Sequence, residues 1–187
     1  GNGNDAAQTT AGNQPKIVSS GSTILENGKA AIDFTADYFS MNLVSSSTEA
    51  TILSVYKNNP SGAYKSIIGI GLNNGYALTT DGGKYNLFYR NVTDQRTTSN
   101  ALVNTQGLIF AYTKSATNQT MYVNNILYQN ITPPSMNAPT TSSRIGAYDV
   151  SSGLYTGIQQ ELIVYASSEL SNRSGIETNI NDFYTIY

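Results

Sequence analysis

Cysteine, histidine and tryptophan are all absent from these 187 residues. Without cysteine there are no disulfides, no thiolate nucleophile and no thiolate metal ligand. Without histidine there is no imidazole base or ligand and no Ser-His system, so whole classes of enzyme drop out. The lack of disulfides does not fix a compartment, because many exported proteins do without them. Charge is scarce as well: 12% of residues are charged, against roughly 25% in ordinary soluble domains. Uncharged Asn, Ser, Thr, Gln and Tyr must therefore carry the solubility. With 10 Lys+Arg against 12 Asp+Glu the net charge is -2 and no basic block occurs, so the electrostatic footprint of a nucleic-acid partner is missing. Long apolar runs are missing too. Ile67-Ile68 and Leu108 to Tyr112 fall far below the roughly 20 residues that cross a bilayer as a helix, and no membrane partner is expected.

What is present reads as β structure. The length suits one domain, residues 1–187, large enough to bury a core without a staple or a metal. Stretches rich in β-branched and aromatic residues predict strands at Lys29 to Phe34, Tyr38 to Leu43, Ala50 to Tyr56, Tyr64 to Ile70, Tyr85 to Arg90, Gly107 to Thr113, Thr120 to Val123, Arg144 to Tyr148 and Ile158 to Tyr165. Between them stand turn formers: Glu26-Asn27-Gly28, Asn58 to Gly62, Asn73-Asn74-Gly75, Asp81-Gly82-Gly83 and Asn124-Asn125. Many short strands at near-regular spacing mean an all-β sandwich or barrel. The Pro133-Pro134 stretch from Thr132 to Ser143 reads as a surface connection.

In Gly107 to Thr113, Leu108, Phe110 and Tyr112 share one face, while Ile109 and Ala111 on the other are nearly as apolar. A strand apolar on both faces must be covered on both, by a second sheet on one side and a further layer or helix on the other. The end of the chain supplies that layer. Ile176, Ile180, Phe183, Tyr184 and Tyr187 recur at helical spacing, with Thr178, Asn179, Asn181 and Asp182 opposite and Ser167, Ser168 and Ser171 as N-cap candidates. One helix is predicted, docked by its stripe on the outside of the sandwich. Gly175 in its first turns costs about 1 kcal/mol against alanine.

The closing stretch "GIQQELIVYASSELSNRSGIETNINDFYTIY", Gly157 to Tyr187, the opening stretch from Gly1 to Phe34 with its "NGK" strand, and "MYVNN" at Met121 to Asn125 resemble concanavalin A-like, laminin-G-type jelly-roll domains. Such domains occur in bacterial surface proteins and in phage tail or head fibres. The resemblance implies a two-sheet antiparallel jelly-roll sandwich with a C-terminal helix packed outside. Because the opening motif starts midway, at Gly1, it also implies that the chain is a fragment of a larger protein. "GNGND" resembles, in addition, fungal-type α-L-arabinofuranosidase domains on the same scaffold. Fold alone does not set function here.

Glycoside hydrolysis needs two carboxylates about 5 Å or roughly 6.5–9.5 Å apart. The acids are Asp5, Glu26, Asp33, Asp37, Glu49, Asp81, Asp94, Asp149, Glu161, Glu169, Glu177 and Asp182, and none makes the ExDxxE pairing of jelly-roll glucanases. Glu161, set in an apolar strand, is either a catalytic or binding carboxylate, or a residue facing solvent or partnering Arg144 or a backbone amide; the structural reading is preferred. No cofactor is expected. Calcium is the ion weighed, at Asp81-Gly82-Gly83 and Asp149, where turn aspartates are the simpler reading. For sugar binding, the 14 tyrosines offer flat apolar faces with a hydroxyl, and Asn73, Asn74, Tyr76, Asp81, Tyr85, Tyr89 and Arg90 are the candidate glycan or receptor patch. The alternative is that these rings fill the sheet faces. Four N-glycosylation patterns, at Asn91, Asn118, Asn130 and Asn172, arise readily by chance in so Asn- and Thr-rich a chain.

The expected function is a non-catalytic binding or structural module of a phage virion (fibre, spike or capsid decoration) or of a bacterial surface adhesin. Its expected partners are glycan or host-surface polysaccharide, or neighbouring subunits of a virion or surface assembly, in a virion or extracellular setting. A jelly-roll glycoside hydrolase and a purely architectural assembly domain are the alternatives.

Overall fold

The computed structural model describes residues 5–42, 45–58, 64–71, 74–90, 96–101, 105–149 and 152–187, with backbone alone at 58, 88, 90 and 96–101. Among them, four two-residue strands come first: β1 (Val18–Ser19), β2 (Ser22–Thr23), β3 (Leu25–Glu26) and β4 (Lys29–Ala30). There follow β5 (Ile32–Asp37), β6 (Phe39–Met41), β7 (Glu49–Asn58), β8 (Lys65–Ile70), β9 (Gly75–Asp81) and β10 (Lys84–Arg90). Then come β11 (Arg96–Ala101), β12 (Gly107–Lys114), β13 (Asn118–Val123), β14 (Ile126–Ile131), β15 (Ser143–Ile145) and β16 (Tyr155–Tyr165), and the chain closes on helix α1 (Arg173–Tyr184).

Two six-stranded antiparallel sheets face one another. The front sheet runs β11-β10-β9-β8-β15-β6 and the back sheet β14-β13-β12-β7-β16-β5. With the helix outside the back sheet, this is an all-β jelly-roll sandwich.

Turn chemistry sets the hairpins. Asn27 and Gly28 both take positive φ (47° and 73°), as do Gly82 and Gly83 (56° and 76°) and Asn124 and Asn125 (49° and 62°). Two consecutive left-handed residues match the twist of the strands they join. β9, β11 and β14 lie outside the strands expected from sequence, because their polar or interrupted patterns are completed only by neighbours across the sheet.

Strand alternation sorts the core into two clusters. Between the sheets lie Ile52, Tyr56, Ile109, Ala111, Met121 and Val123 from the back sheet, against Ile67, Ile68, Ile70, Tyr76, Leu78, Tyr85, Leu87 and Tyr89 from the front. On the far side of the back sheet, Leu53, Val55, Leu108, Phe110 and Tyr112 pack with Ile180 and Tyr184 of α1. Fully burying one such large apolar side chain contributes about 1.5–3 kcal/mol. Several of them outweigh the single unfavourable glycine in the helix.

The helix docks with a narrower stripe than its spacing suggests. Ile180 and Tyr184 are buried, while Phe183 is 56% and Tyr187 50% exposed. The Phe183 ring instead carries the Lys29 ammonium 4.0 Å above it. The residue flanking the helix start is Asn172, not one of the predicted serines, and its side chain makes no cap bond to the helix backbone. Ser167 and Asn172 both bond to Glu169 in the preceding turn. At the other end Thr185 takes a left-handed φ of 55° and its N–H bonds Asn181 O at 2.7 Å.

Glu177, 1% exposed, sits on the docked side and pairs with Arg173. The guanidinium of Arg173 also stacks 3.8 Å above the Tyr122 ring and donates to Asn125 Oδ1 at 2.8 Å. One polar clamp thus ties the helix to the β13–β14 hairpin.

Two outcomes test this architecture. Gly146 has φ +81°, and an added Cβ would stand 2.5 Å from Cε1 of the buried Phe34. Gly146→Ala is therefore expected to lower the stability read from urea unfolding by about 2–4 kcal/mol, through overpacking and left-handed strain together. Burial raises the Glu177 carboxyl above its ordinary value of 4.5, with Arg173 opposing. A folded Glu177 that holds its proton more tightly than the unfolded one favours folding at acid pH and loses that contribution as pH rises through the folded value. Unfolding midpoints of Glu177→Gln across this range should show a shallower fall with rising pH than the parent chain.

Candidate functional site

The patch expected from sequence is taken apart by strand alternation. Tyr76 on β9 and Tyr85 and Tyr89 on β10 all point between the sheets and are 0% exposed. Tyr56 and Tyr85 join hydroxyl to hydroxyl across the sandwich, their rings edge-on at 5.8 Å. Tyr89 shares a hydrogen bond with Thr113 Oγ1. Burial pushes the Tyr89 hydroxyl up to about 12 despite that bond, and raises Tyr76 and Tyr155 further. These rings are core: Tyr85 and Tyr89 bury their bodies with their hydroxyls partnered across the sandwich, and Tyr76 is buried with them.

Asn74 remains at the rim, half-buried, with Nδ2 3.4 Å from Thr140 Oγ1. Asp81 ends β9 opposite Lys84. Asn73 and the Arg90 side chain lie outside the described residues.

The other acids have plain roles. Glu161 points outward beneath α1 and accepts a hydrogen bond from Tyr184 OH at 2.9 Å. Its partner is therefore not Arg144, which belongs to the front sheet. Asp149 closes its own loop, accepting from Ser152 N at 2.8 Å and Ser152 Oγ at 2.6 Å. Among the described residues no group of three or more acids gathers as a metal site would require.

The structure builds a site elsewhere, at the end of the back sheet. A cavity of about 300 Å³ is lined by Glu26, Asn27, Lys57, Thr105, Gln106 and Ile186. A chain of amides fixes its wall. Asn27 Nδ2 donates to Gln106 Oε1, and Gln106 Nε2 donates to Gln160 Oε1. Gln160 Nε2 returns to the hairpin at Glu26 O and Lys29 O, at 3.0 and 3.2 Å. Gln106 itself is 5% exposed. Lys57 Nζ lies 2.9 Å from Glu26 Oε1. Beside this pocket runs an apolar groove of about 340 Å³ lined by Ile17, Val18, Ala30, Ala31 and Ile32 with Gln159 and Gln160. Gln160 therefore belongs both to the groove and to the amide chain of the pocket.

Nothing local in the sequence marks this place. Glu26-Asn27-Gly28 reads only as a turn, and Gln106 sits in an undistinguished stretch before β12. Their meeting depends on the back sheet setting β16 between β5 and β7.

Comparison with known proteins bears on the fold. No protein-family model matches the sequence, and no curated protein matches it. Among solved structures, the carbohydrate-binding module CBM40 of the Ruminococcus gnavus IT-sialidase, bound to α2,3 sialyllactose, is similar with a TM-score of 0.55 at 12% identity, covering 67% of this chain and 79% of that one. A native heptameric SAP-like pentraxin from Limulus polyphemus is similar with a TM-score of 0.60 at 11% identity, over 80% of this chain and 82% of that one. The receptor binding domain of botulinum neurotoxin type G gives 0.59 at 9% identity, over 84% of this chain and 42% of that one. At such identities the likeness is one of fold: the jelly-roll sandwich.

Proposed function

We propose that the chain is a non-catalytic glycan-binding module that reads saccharide at the pocket between the β3–β4 hairpin, Lys57 and Gln106. The observation that carries this is the amide chain Asn27–Gln106–Gln160, which presents fixed donors and acceptors beside an apolar groove. Sugars show the same mixture, hydroxyls around an apolar ring face, and binding sites answer it with a few placed polar groups on an apolar wall. The pocket lining contains one carboxylate, Glu26, and Lys57 already neutralises it. Hydrolysis by the usual route asks for two. The wider setting follows from the resemblance of both chain ends to phage fibre and bacterial surface domains: a virion or cell-surface module whose partner is host-surface polysaccharide.

One observation favours a second reading, an architectural domain. The edge strand β14 exposes Ile126 (63%) and Leu127 (50%) and carries no charge, the kind of edge other strands pair with. Sedimentation that shows concentration-dependent association, abolished by Leu127→Lys, would favour it.

For the glycan reading, array screening followed by calorimetry with the selected oligosaccharide is expected to show binding without release of reducing ends. Lys57→Ala and Gln106→Ala should each weaken it about tenfold, the loss of roughly one good hydrogen bond. An empty array, or variants that bind as the parent does, would remove this pocket as the site.

A further inference from the structure

The chain of amides along the pocket wall has only one sense. Gln160 Nε2 faces three backbone carbonyls, Glu26 O at 3.0 Å, Lys29 O at 3.2 Å and Ala30 O at 3.5 Å. A carbonyl oxygen only accepts, so Gln160 must turn its nitrogen to the hairpin and its oxygen to Gln106. Gln106 then has to donate to Gln160 Oε1, which leaves its own oxygen for Asn27, and Asn27 has to donate in turn. Reversing any one of the three amides would set acceptor against acceptor. The relay therefore ends with the Asn27 nitrogen committed to Gln106, and no bond to Asn27 Oδ1 occurs among the described residues.

The residue beside it contributes a second acceptor. Glu26 gives Oε1 to Lys57 Nζ at 2.9 Å, and its Oε2 is not bonded among the described residues. Lys57 is the one cation among the lining residues, and its pairing with Glu26 leaves the pocket without net charge. The other lysine of the hairpin, Lys29, holds its ammonium 4.0 Å above the Phe183 ring instead. Solvent reaches the pair, whose side chains are 41% exposed at Lys57 and 18% at Glu26, and Asn27 is exposed. The accessible polar capacity is thus two acceptors on adjacent residues, with the remaining hydrogens of Lys57 as donors.

That inventory discriminates between sugars. A hydroxyl both donates and accepts, so it can give its hydrogen to Asn27 Oδ1 or Glu26 Oε2 while taking one from Lys57. An ionised sugar carboxylate only accepts. It would meet two acceptors, one of them charged like itself, and the cation it needs is already held by Glu26. A charge that leaves water without a counter-charge is penalised, and like charges brought together reject a wrong partner.

We infer that the pocket takes neutral saccharides and excludes acidic ones, and that Glu26 is the residue that determines this. The inference rests on the glycan-binding reading above and names the class of sugar that it admits.

The test is calorimetry on the whole chain with paired probes: hexasaccharides of glucose, of mannose and of galactose, each beside its form with the primary alcohols oxidised to carboxylates. At least one neutral probe should bind, and its oxidised form should bind about tenfold more weakly or worse. In the parent chain this ratio should shrink as salt is added, because salt screens repulsion between exposed charges. Glu26→Gln keeps the shape and frees Lys57, so the ratio of neutral to acidic affinity should fall by about tenfold or more. Lys57→Met removes the cation and leaves Glu26, so the ratio should rise. Opposite shifts from two changes that break the same ion pair are an effect of charge, which loss of local structure would not produce. If no probe binds, the glycan reading of the pocket falls and this inference falls with it. An oxidised probe that binds the parent as tightly as its neutral form, a ratio that salt does not move, or a ratio unchanged in Glu26→Gln would leave the glycan site standing and overturn the selectivity.

Discussion

The structure depends on the back sheet being buried on both faces. Leu53, Val55, Leu108 and Phe110 are fully buried on its outer side only because α1 covers them, while Ile52, Ile109 and Ala111 meet the front sheet on the inner side. Without the helix, those outer side chains would form a continuous exposed apolar surface, which soluble domains rarely tolerate. The back layer therefore belongs to the core. The clamp of Arg173 on Glu177, Asn125 and the Tyr122 ring fixes where the helix lies.

That burial also shapes the candidate site. With the helix docked, the segment after it runs back toward the sheet end, where Asn181 Oδ1 accepts from Ile186 N and Tyr187 N at 3.0 Å each and brings Ile186 to the pocket. The opposite wall comes from the β3–β4 hairpin, whose Asn27-Gly28 turn holds positive φ and so aims Asn27 at Gln106. Helix, hairpin and sheet end meet at one polar cavity, and each contributes a group that the others hold in place.

Polar groups buried in the two sheets are handled in two ways. In the space between them, two tyrosine hydroxyl bonds cross the sandwich, Tyr56 with Tyr85 and Tyr89 with Thr113. Buried side-chain atoms without a hydrogen-bond partner occur in both layers, at Tyr76, Ser66, Asn86 and Arg144 in the front sheet and at Glu177 of the helix behind the back one. A neutral, amide-rich chain can satisfy most of its buried groups internally.

Much of the architecture was legible from residues close together in the chain. Turn pairs such as Asn27-Gly28 and Asn124-Asn125, the two apolar faces of Gly107 to Thr113, and the 3.6-residue spacing near the C-terminus each depend on a few neighbours. Local sterics and periodicity suffice for those, and they pointed to a sandwich with a docked helix. What only the tertiary structure decided was which face of each strand looks inward and which distant residues meet. Tyr76, Tyr85 and Tyr89 looked like a binding surface and are core, because register alone determines whether an amphipathic ring turns in or out. Asn27, Gln106 and Gln160 carried no sign that they would meet, and Glu161, for which a partnership with Arg144 was one reading, lies on the other sheet. Long-range strand pairing assigns such positions, and that information is spread over the whole chain.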